Sequence, residues 1–407
     1  MDTVETLIVG AGQAGLAMSQ QLSRRNRPHL VLERGRIGER WWAERWEGMH
    51  FQTPNHLVRL PDFPLGADDP HGFTRGSEIG DYLNAFAAFI RAPVRCGVEV
   101  RALRRDASGF VAETSGGTVR SRNVVVATGP FQVPKVPALL PAAPDILQIH
   151  ATAYRRPDRL PPGAVLVIGA GASGAQIAEE LMRAGRQVYF SVSRHRRAPR
   201  RYRGHDHIWW WIETGMDKTP VEKKPADSAP LVHSGAYGGH TIDFRDFARQ
   251  GMILLGHAEG AEGSVMRFAP DLLDSLAHGD AGYQRFMDFV DAHIAAKGMV
   301  LPEDPAARAI SPTPARLKEP IVRVDLREAG IGTVIWCTGY GVDFGWIGVP
   351  VFGSGGMPAH RGGVTAVPGL YFLGLPWQSQ FSSSFLFGVS DDAMRLADHI
   401  EGRGDGG

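Results

Sequence analysis

The chain has 407 residues, with 44 Lys and Arg against 43 Asp and Glu, so its formal net charge is +1. This balance gives no global reason to expect a nucleic-acid or membrane-surface partner. The length corresponds to roughly two or three domains. Only Cys96 and Cys337 are present, which excludes a disulfide framework and a CxxC pair for zinc or dithiol chemistry.

The N-terminal residues lack the basic start and long apolar core of a signal peptide. No run of about 18 apolar residues occurs, so no membrane-spanning helix is predicted. We therefore expect a soluble, cytoplasmic protein with neither a membrane nor a nucleic-acid partner.

Four short apolar runs end in or next to glycine, and each is typical of a buried parallel strand. They occupy residues 7–10, 124–129, 165–169 and 334–339. Apolar residues at helical spacing follow the first and third runs, for example Leu16 with Leu22 and Ile177 with Leu181. This order of strand, glycine turn and helix begins a βαβ unit, so the sequence predicts an α/β protein with two such units.

The first glycine turn has the sequence GAGQAG and contains Gly10, Gly12 and Gly15. Gly10 permits the tight turn, Gly12 lets the backbone approach a pyrophosphate, and Gly15 allows close packing of helix on strand. Free N–H groups of the turn, which includes Gln13 and Ala14, face the anion together with the helix dipole. This is the pattern of a Rossmann dinucleotide-binding unit.

An acidic residue stands where the ribose of a bound dinucleotide belongs. Glu33 ends the second strand, 18 residues beyond Gly15, and Arg34 follows it as a further cofactor-binding candidate. A carboxylate accepts a hydrogen bond from a ribose hydroxyl and repels a 2′-phosphate. The alternative is a surface glutamate, but the spacing favours FAD as the ligand of the first unit.

A second glycine turn, GAGASG, begins 159 residues later and contains Gly169, Gly171, Ser173 and Gly174. Two such turns imply two dinucleotides.

The second unit ends its second strand differently. Counting the same 18 residues from Gly174 reaches a valine, and Ser193, Arg194 and Arg197 follow it. Hydroxyl and guanidinium groups suit a 2′-phosphate, since arginine supplies a planar donor fork, so we predict NADPH over NADH. The alternative is that six arginines between residues 194 and 203 form a solvated basic loop or contact nucleic acid.

Two further strand ends carry the pairs Thr128-Gly129 and Thr338-Gly339. Each glycine lets the backbone pass close to a cofactor or to the other domain, although simple strand termination is the alternative.

Proline-rich connectors place a domain boundary near residue 155, and a Ser/Pro-rich loop places another near 325. We therefore assign residues 1–155 and 325–407 to an FAD-binding domain and residues 156–324 to an NADPH-binding domain. Within the second domain, residues from about 205 to 310 are expected to be a helical, aromatic-rich insertion. The tail from Gly402 to Gly407 is expected to be disordered.

Taken together, these residues resemble the flavin-containing monooxygenase superfamily, specifically the single-component class B enzymes and their CzcO-like and YUCCA-like relatives. The likeness covers most of the chain and also rests on residues 53–54, 61–64 and 337–340. It implies FAD and NADPH as cofactors and oxygenation through a C4a-(hydro)peroxyflavin. One oxygen atom of O2 would enter a small organic substrate at nitrogen, sulfur or a carbonyl carbon, and a homodimer is possible.

The resemblance also suggests individual site residues. His150 and Tyr154 match the second half of the family's linker motif, whereas its first half is missing. The family's flavin-facing asparagine aligns nearest Gln52, with Asn55 or Thr53 as alternatives.

Other residues are expected near the flavin ring. Trp42 lies in the stretch that passes along the flavin in the family, or else packs in the core. Gly374 and Gln378 could offer donors to the ring carbonyls.

Two other functions fit the same folds: an FAD-dependent electron transferase of the ferredoxin-reductase type, and a non-catalytic redox sensor that binds both dinucleotides. The aromatic segment, which could build a substrate pocket or exclude solvent, argues against the first. We predict no metal site, because the residues 205–207, His-Asp-His, more often serve solubility or packing in such a loop.

Overall fold

The computed structural model describes residues 2–404, and α-helices alternate with β-strands through most of this range. The helices are α1 (Gln13–Arg24), α2 (Glu39–Ala43), α3 (Gly76–Phe89), α4 (Ala172–Arg183), α5 (His207–Glu213), α6 (Phe244–Arg249), α7 (Leu272–Lys297) and α8 (Val389–Gly404). None of the helices within this range combines the length and hydropathy that a bilayer-spanning segment requires.

Twenty-five strands lie within the same range. They are β1 (Asp2–Val9), β2 (His29–Glu33), β3 (Arg59–Leu60), β4 (Phe63–Pro64), β5 (Val94–Cys96), β6 (Val100–Asp106), β7 (Gly109–Thr114), β8 (Gly117–Val126), β9 (Val133–Pro134), β10 (Leu147–His150), β11 (Ala164–Ile168), β12 (Val188–Ser191), β13 (Arg196–Arg197), β14 (Arg201–Tyr202), β15 (His205–Asp206), β16 (Leu231–Val232), β17 (Ile253–Leu255), β18 (Ala258–Glu262), β19 (Val265–Phe268), β20 (Arg323–Asp325), β21 (Ile331–Trp336), β22 (Tyr340–Gly341), β23 (His360–Arg361), β24 (Val364–Thr365) and β25 (Leu370–Phe372).

The first sheet has nine strands and a parallel centre in the order β25, β8, β1, β2, β5. Alternate residues of β1 enter opposite cores, as expected for a strand buried on both faces. Ile8 packs with helices α1, α3 and α8, whereas Leu7 and Val9 pack with the β6–β7 hairpin and with residues 344–352.

The second sheet has five parallel strands in the order β10, β21, β11, β12, β17. Helices α4 and α6 cover one face. The antiparallel strands β18, β19 and β20 cover the other. Both glycine turns therefore stand between a central parallel strand and a helix, and the predicted α/β class with two Rossmann-type units is confirmed.

Strand pairing at both ends of the second unit crosses the predicted domain boundaries. Strand β10, which was assigned to the first domain, pairs with β21, and β21 pairs with β11 of the second sheet. The chain leaves the first sheet after β8 and returns after β21. The physical reason is that the proline-rich residues 134–144 form the crossing itself, so the second sheet already begins at Leu147.

The segment from 205 to 310 is only partly the insertion that was expected. Helices α5, α6 and α7 are present, but β17 pairs with β12 as the edge strand of the second sheet, and β18 and β19 cover that sheet. The expected disorder of the tail was wrong for residues 402–404, which continue helix α8. Residues 405–407 lie outside the described range.

Candidate functional site

The first glycine turn is shaped by contact with the neighbouring strand end. Gly10 has φ +106°, and a Cβ atom there would lie 2.7 Å from the carbonyl oxygen of Ala127. A Cβ at Gly15 would lie 1.8 Å from the oxygen of Gly10, whereas one at Gly12 would meet no atom within 4 Å. The turn is therefore tightly packed at Gly10 and Gly15 and open at Gly12. On this open side, the backbone N–H groups at the start of α1 can receive a phosphate.

Glu33 is anchored to this turn. Its Oε2 accepts a hydrogen bond from Ala11 N at 2.8 Å, and its Oε1 accepts one from Gly35 N at 2.9 Å. Each carboxylate oxygen keeps a lone pair for a further donor, such as a ribose hydroxyl. Arg34 beside it is exposed.

The C-terminal segment closes on the same turn. A Cβ at Gly374 would lie 2.7 Å from the Cβ of Ala14, so this backbone passes directly over the start of α1. Gln13 Nε2 donates to the carbonyl oxygen of Ser384 at 2.6 Å. Gly374, Gln13 and Ala14 are therefore brought together, as a site built from both ends of the chain requires.

The second glycine turn repeats the geometry of the first. Gly169 has φ +112°, and a Cβ there would lie 2.4 Å from the oxygen of Cys337. A Cβ at Gly174 would lie 1.8 Å from the oxygen of Gly169, whereas near Gly171 only carbon atoms of Pro230 approach, the nearer at 3.7 Å. Ser173 is half-buried in the first turn of α4.

Arg194 stands at the strand end where the sequence predicts a phosphate ligand. Its side chain is 65% exposed, and its Nη2 is 3.9 Å from Asp227, an ion pair too long to fix it. Its Nε lies 3.3 Å from His278 Nε2. Ser193, half-buried, precedes it. The guanidinium of Arg194 is therefore exposed and held by two long contacts, to Asp227 and to His278.

Arg197 does not fit the role predicted for it. Its side chain is 5% exposed, and its Nη1 lies 2.5 Å from Asp243 Oδ2. Its guanidinium also lies over the ring of Tyr283, 4.3 Å from the centroid. Because this charge is already paired and buried, the structure favours a structural role for Arg197 over the predicted contact with the nucleotide.

Arg196 is the arginine nearer the second turn. Its backbone N donates to Pro230 O at 2.8 Å, and Pro230 packs against the open side of Gly171. Its Nε donates to Ala229 O at 2.8 Å. The sequence carries a signal for this difference between the two arginines, because neighbouring residues of a strand such as β13, here Arg196 and Arg197, point to opposite faces.

The two threonine-glycine strand ends meet in an antiparallel ribbon formed by β9 and β22. Lys135 N donates to Gly339 O at 3.0 Å, and the Thr338 hydroxyl donates to Lys135 O. Gln132, which sequence reasoning missed, joins Thr128 and Gly129 to this ribbon. The carboxyl ends of β8 and β21, one from each sheet, therefore both lead into this ribbon.

His150 and Tyr154 lie beside this ribbon. His150 is buried, its Nε2 lies 3.1 Å from Gly339 O, and burial lowers the pKa of its imidazole. Tyr154 is fully buried and donates 2.8 Å to Glu180 Oε2 on α4. His150 is therefore bonded to the Thr338-Gly339 strand end, and Tyr154 is bonded to helix α4.

Asn55 is the flavin-facing candidate with a free polar atom. The side chain is 7% exposed, and its Nδ2 donates to Asp69 O at 2.8 Å. Its Oδ1 is buried without a hydrogen-bond partner among the described residues. Such an atom costs about 1–3 kcal/mol unless something binds it, so it marks a position for a ligand.

Gln52 lies in the same segment, and its backbone oxygen accepts a hydrogen bond from Arg200 at 3.0 Å. Arg200 is 2% exposed and forms a two-point ion pair with Asp206. This buried pair, which sequence reasoning missed, ties the aromatic segment to the loop that carries Gln52 and Asn55. Asp206 is thus a structural partner of Arg200.

Gln378 and Trp42 are used inside the protein. The buried Gln378 amide accepts from Leu375 N at 3.3 Å and donates to Gly362 O at 3.5 Å, and its predicted contact with the flavin stays a prediction. Trp42 packs on α3, where a Cβ at Gly80 would lie 2.3 Å from its Nε1. The core-packing alternative is therefore favoured for Trp42.

An aromatic cluster packs beside the segment that carries Asn55. Trp211 of α5 makes an edge contact with Phe381 at 5.1 Å between ring centroids and stacks with Phe385 at 6.1 Å. Leu57, two residues after Asn55, belongs to the same cluster. Within residues 2–404, no three His, Cys, Asp or Glu side chains are grouped to hold a metal ion.

Comparison with known proteins identifies the family that these features define. Residues 7–225 match the family of pyridine nucleotide-disulphide oxidoreductases, and the chain belongs to this family. Over 402 residues it is 31% identical to an uncharacterized CzcO-like oxidoreductase of Geobacillus kaustophilus, covering 98% of each chain.

Two further proteins are similar. A probable indole-3-pyruvate monooxygenase, YUCCA1 of Arabidopsis thaliana, is 32% identical over 187 residues, which are 44% of each chain. A double mutant of the flavin monooxygenase from Stenotrophomonas maltophilia shares the fold, with a TM-score of 0.68 and 17% identity over 99% of each chain. The chain therefore belongs to an oxidoreductase family and shares the fold of a flavin monooxygenase.

The geometry of the first turn predicts the effect of removing its carboxylate. Glu33→Gln should weaken FAD binding about 10- to 100-fold, because a charge-assisted hydrogen bond contributes about 1.5–3 kcal/mol. Flavin fluorescence titration of the apoprotein measures this. Glu259→Gln, an exposed position on β18, is the control. An unchanged dissociation constant for Glu33→Gln would contradict the assignment.

Proposed function

We propose that this protein is an NADPH-dependent FAD monooxygenase that inserts one atom of O2 into a small organic substrate. The observation that carries the proposal is the presence of two open glycine turns, each at the carboxyl edge of a parallel sheet, whose neighbouring strands lead into one shared ribbon. The first would hold FAD and the second NADPH, since their strands end in a carboxylate and in hydroxyl and guanidinium groups.

Bound FAD would supply the hydride acceptance and oxygen activation that side chains lack. The protein's own part is binding and orientation. Gly12 and Gly171 leave room for the two pyrophosphates, and Glu33 receives a ribose hydroxyl. Asn55 offers its unpartnered Oδ1 to a donor at the reacting end of the site.

The aromatic cluster supports oxygenation over electron transfer. An electron transferase needs an accessible flavin edge for its protein partner, whereas Trp211, Phe381 and Phe385 form a cover beside Asn55. A dry site protects a reactive oxygen species from water and suits an apolar substrate group. We infer that the substrate enters between this cluster and the loop of Gln52 and Asn55.

A disulfide reductase is the candidate that the family's description raises. Cys96 is exposed at the end of β5, where it is the strand partner of Glu33, and desolvation raises the pKa of its thiol. Cys337 lies behind the second turn, where burial raises the pKa of its thiol to about 12. Because a thiol must ionise to attack a disulfide, neither cysteine supports that reaction.

A non-catalytic sensor would bind both dinucleotides without forming oxygenated product.

The two arginines at the second strand end should behave differently on substitution. Arg194→Ala should raise the KM for NADPH about 10-fold and change the KM for NADH much less, because only NADPH offers a 2′-phosphate. Arg197→Ala should instead lower the free energy of unfolding by about 1–3 kcal/mol, because it removes the nearest ion-pair partner of the buried Asp243 and leaves Arg245, 3.3 Å away, as the remaining one. Steady-state kinetics with both nucleotides and denaturant unfolding separate the two. Equal losses for NADPH and NADH in Arg194→Ala would contradict the phosphate role.

Oxygen isotope labelling tests the reaction itself. Under ¹⁸O₂ with NADPH and a panel of amines, thioethers and ketones, we expect product that retains one labelled oxygen atom, with NADPH consumed in step. The substrate-free reaction is the control, and its peroxide release measures uncoupling. Rapid NADPH oxidation with no labelled product from any class would favour a reductase, and no oxidation at all would favour a sensor.

A further inference from the structure

The two sheets are joined by short crossings that run side by side. The chain leaves the first sheet at Thr128-Gly129 and the second at Thr338-Gly339, and each crossing then contributes one strand of the β9–β22 ribbon. Thr128 Cα would lie 3.4 Å from a Cβ at Gly10, and Cys337 forms the back of Gly169. Each crossing therefore starts at the back of one glycine turn.

Gln132 is the side chain that links the two crossings. Its Nε2 donates to Gly129 O at 2.7 Å and to Thr128 Oγ1 at 2.9 Å, both on the first crossing. Its Oε1 accepts from Asp343 N at 2.8 Å on the second crossing. Its backbone N donates to Gly341 O at 3.2 Å. The amide thus uses both of its donor hydrogens and its acceptor.

This pattern requires the glutamine functional group. A carbonyl oxygen and a hydroxyl oxygen lie on one side as acceptors and an N–H donor lies on the other, so an amide satisfies all three. A carboxylate would place a negative oxygen against Gly129 O, and asparagine is one methylene shorter. Arg40 adds a contact from outside, since its Nη2 donates to the Gln132 backbone oxygen at 3.3 Å.

We propose that Gln132 is a positioning residue that fixes the relative placement of the two dinucleotides for hydride transfer. The inference rests on the proposed binding of FAD and NADPH to the two turns, but it does not depend on oxygenation. Hydride transfer requires the reacting atoms about 3–3.5 Å apart, and a misplacement of about 1 Å costs on the order of 100-fold in rate. Removing the hydrogen bonds of the Gln132 side chain should slow hydride transfer while each nucleotide site stays intact.

The test is anaerobic stopped-flow reduction of the bound flavin by NADPH. In Gln132→Ala we expect the limiting reduction rate to fall about 10- to 100-fold, whereas the dissociation constant for NADPH, the FAD content and the reduction by dithionite stay unchanged. Gln148→Ala is the matched control. Gln148 is also bonded on both sides, to Pro141 O and Trp336 Nε1, but within the connector and the second sheet.

The Gln132→Glu variant adds a second measurement, the pH dependence of the flavin reduction rate, which would not change if Gln132 had only a structural role. At low pH the introduced carboxyl group is protonated and regains a donor, so the reduction rate should rise as pH falls from 8 to 5, and the unsubstituted protein should show no such recovery. A wild-type limiting rate in Gln132→Ala, an equal loss in Gln148→Ala, or loss of FAD from the Gln132 variants would each overturn the positioning role. Failure of NADPH to reduce the unsubstituted protein would instead overturn the proposed function, on which the inference rests.

Discussion

Close packing of a glycine against the carbonyl at the end of the neighbouring strand is the constraint on which the structure depends. Gly10 meets Ala127 O in this way, and Gly169 meets Cys337 O. Any larger residue would push the turn away from its sheet and close the open side at Gly12 or Gly171. The constraint appears twice, so the chain has two equivalent places to hold a dinucleotide, each at the carboxyl edge of a parallel sheet.

The two places differ in charge, and the proposed function follows from that difference. Glu33 is held beside the first turn by two backbone donors, which suits a ribose that carries free hydroxyls. Arg194 at the second strand end is exposed and only loosely paired, which suits an added phosphate. Between them lies the ribbon to which Gln132 bonds, and in the proposed function this ribbon holds the two nucleotides close enough for one to reduce the other.

Sequence reasoning worked where a feature is local and failed where it depends on packing between distant segments. The glycine turns, Glu33 and the apolar strands follow from spacing and periodicity alone. The membership of Leu147–His150 in the second sheet depends on pairing with residues almost two hundred positions away, which no local pattern reveals. Arg194 and Arg197 are alike in sequence, and only the buried Asp243 distinguishes their roles.

The account predicts one FAD and one NADP⁺ per chain, bound together. Native mass spectrometry of the purified protein, loaded with FAD and titrated with NADP⁺, measures this directly. We expect a single species that carries both nucleotides at once. A chain that never holds more than one dinucleotide, or in which NADP⁺ displaces FAD, would contradict the account.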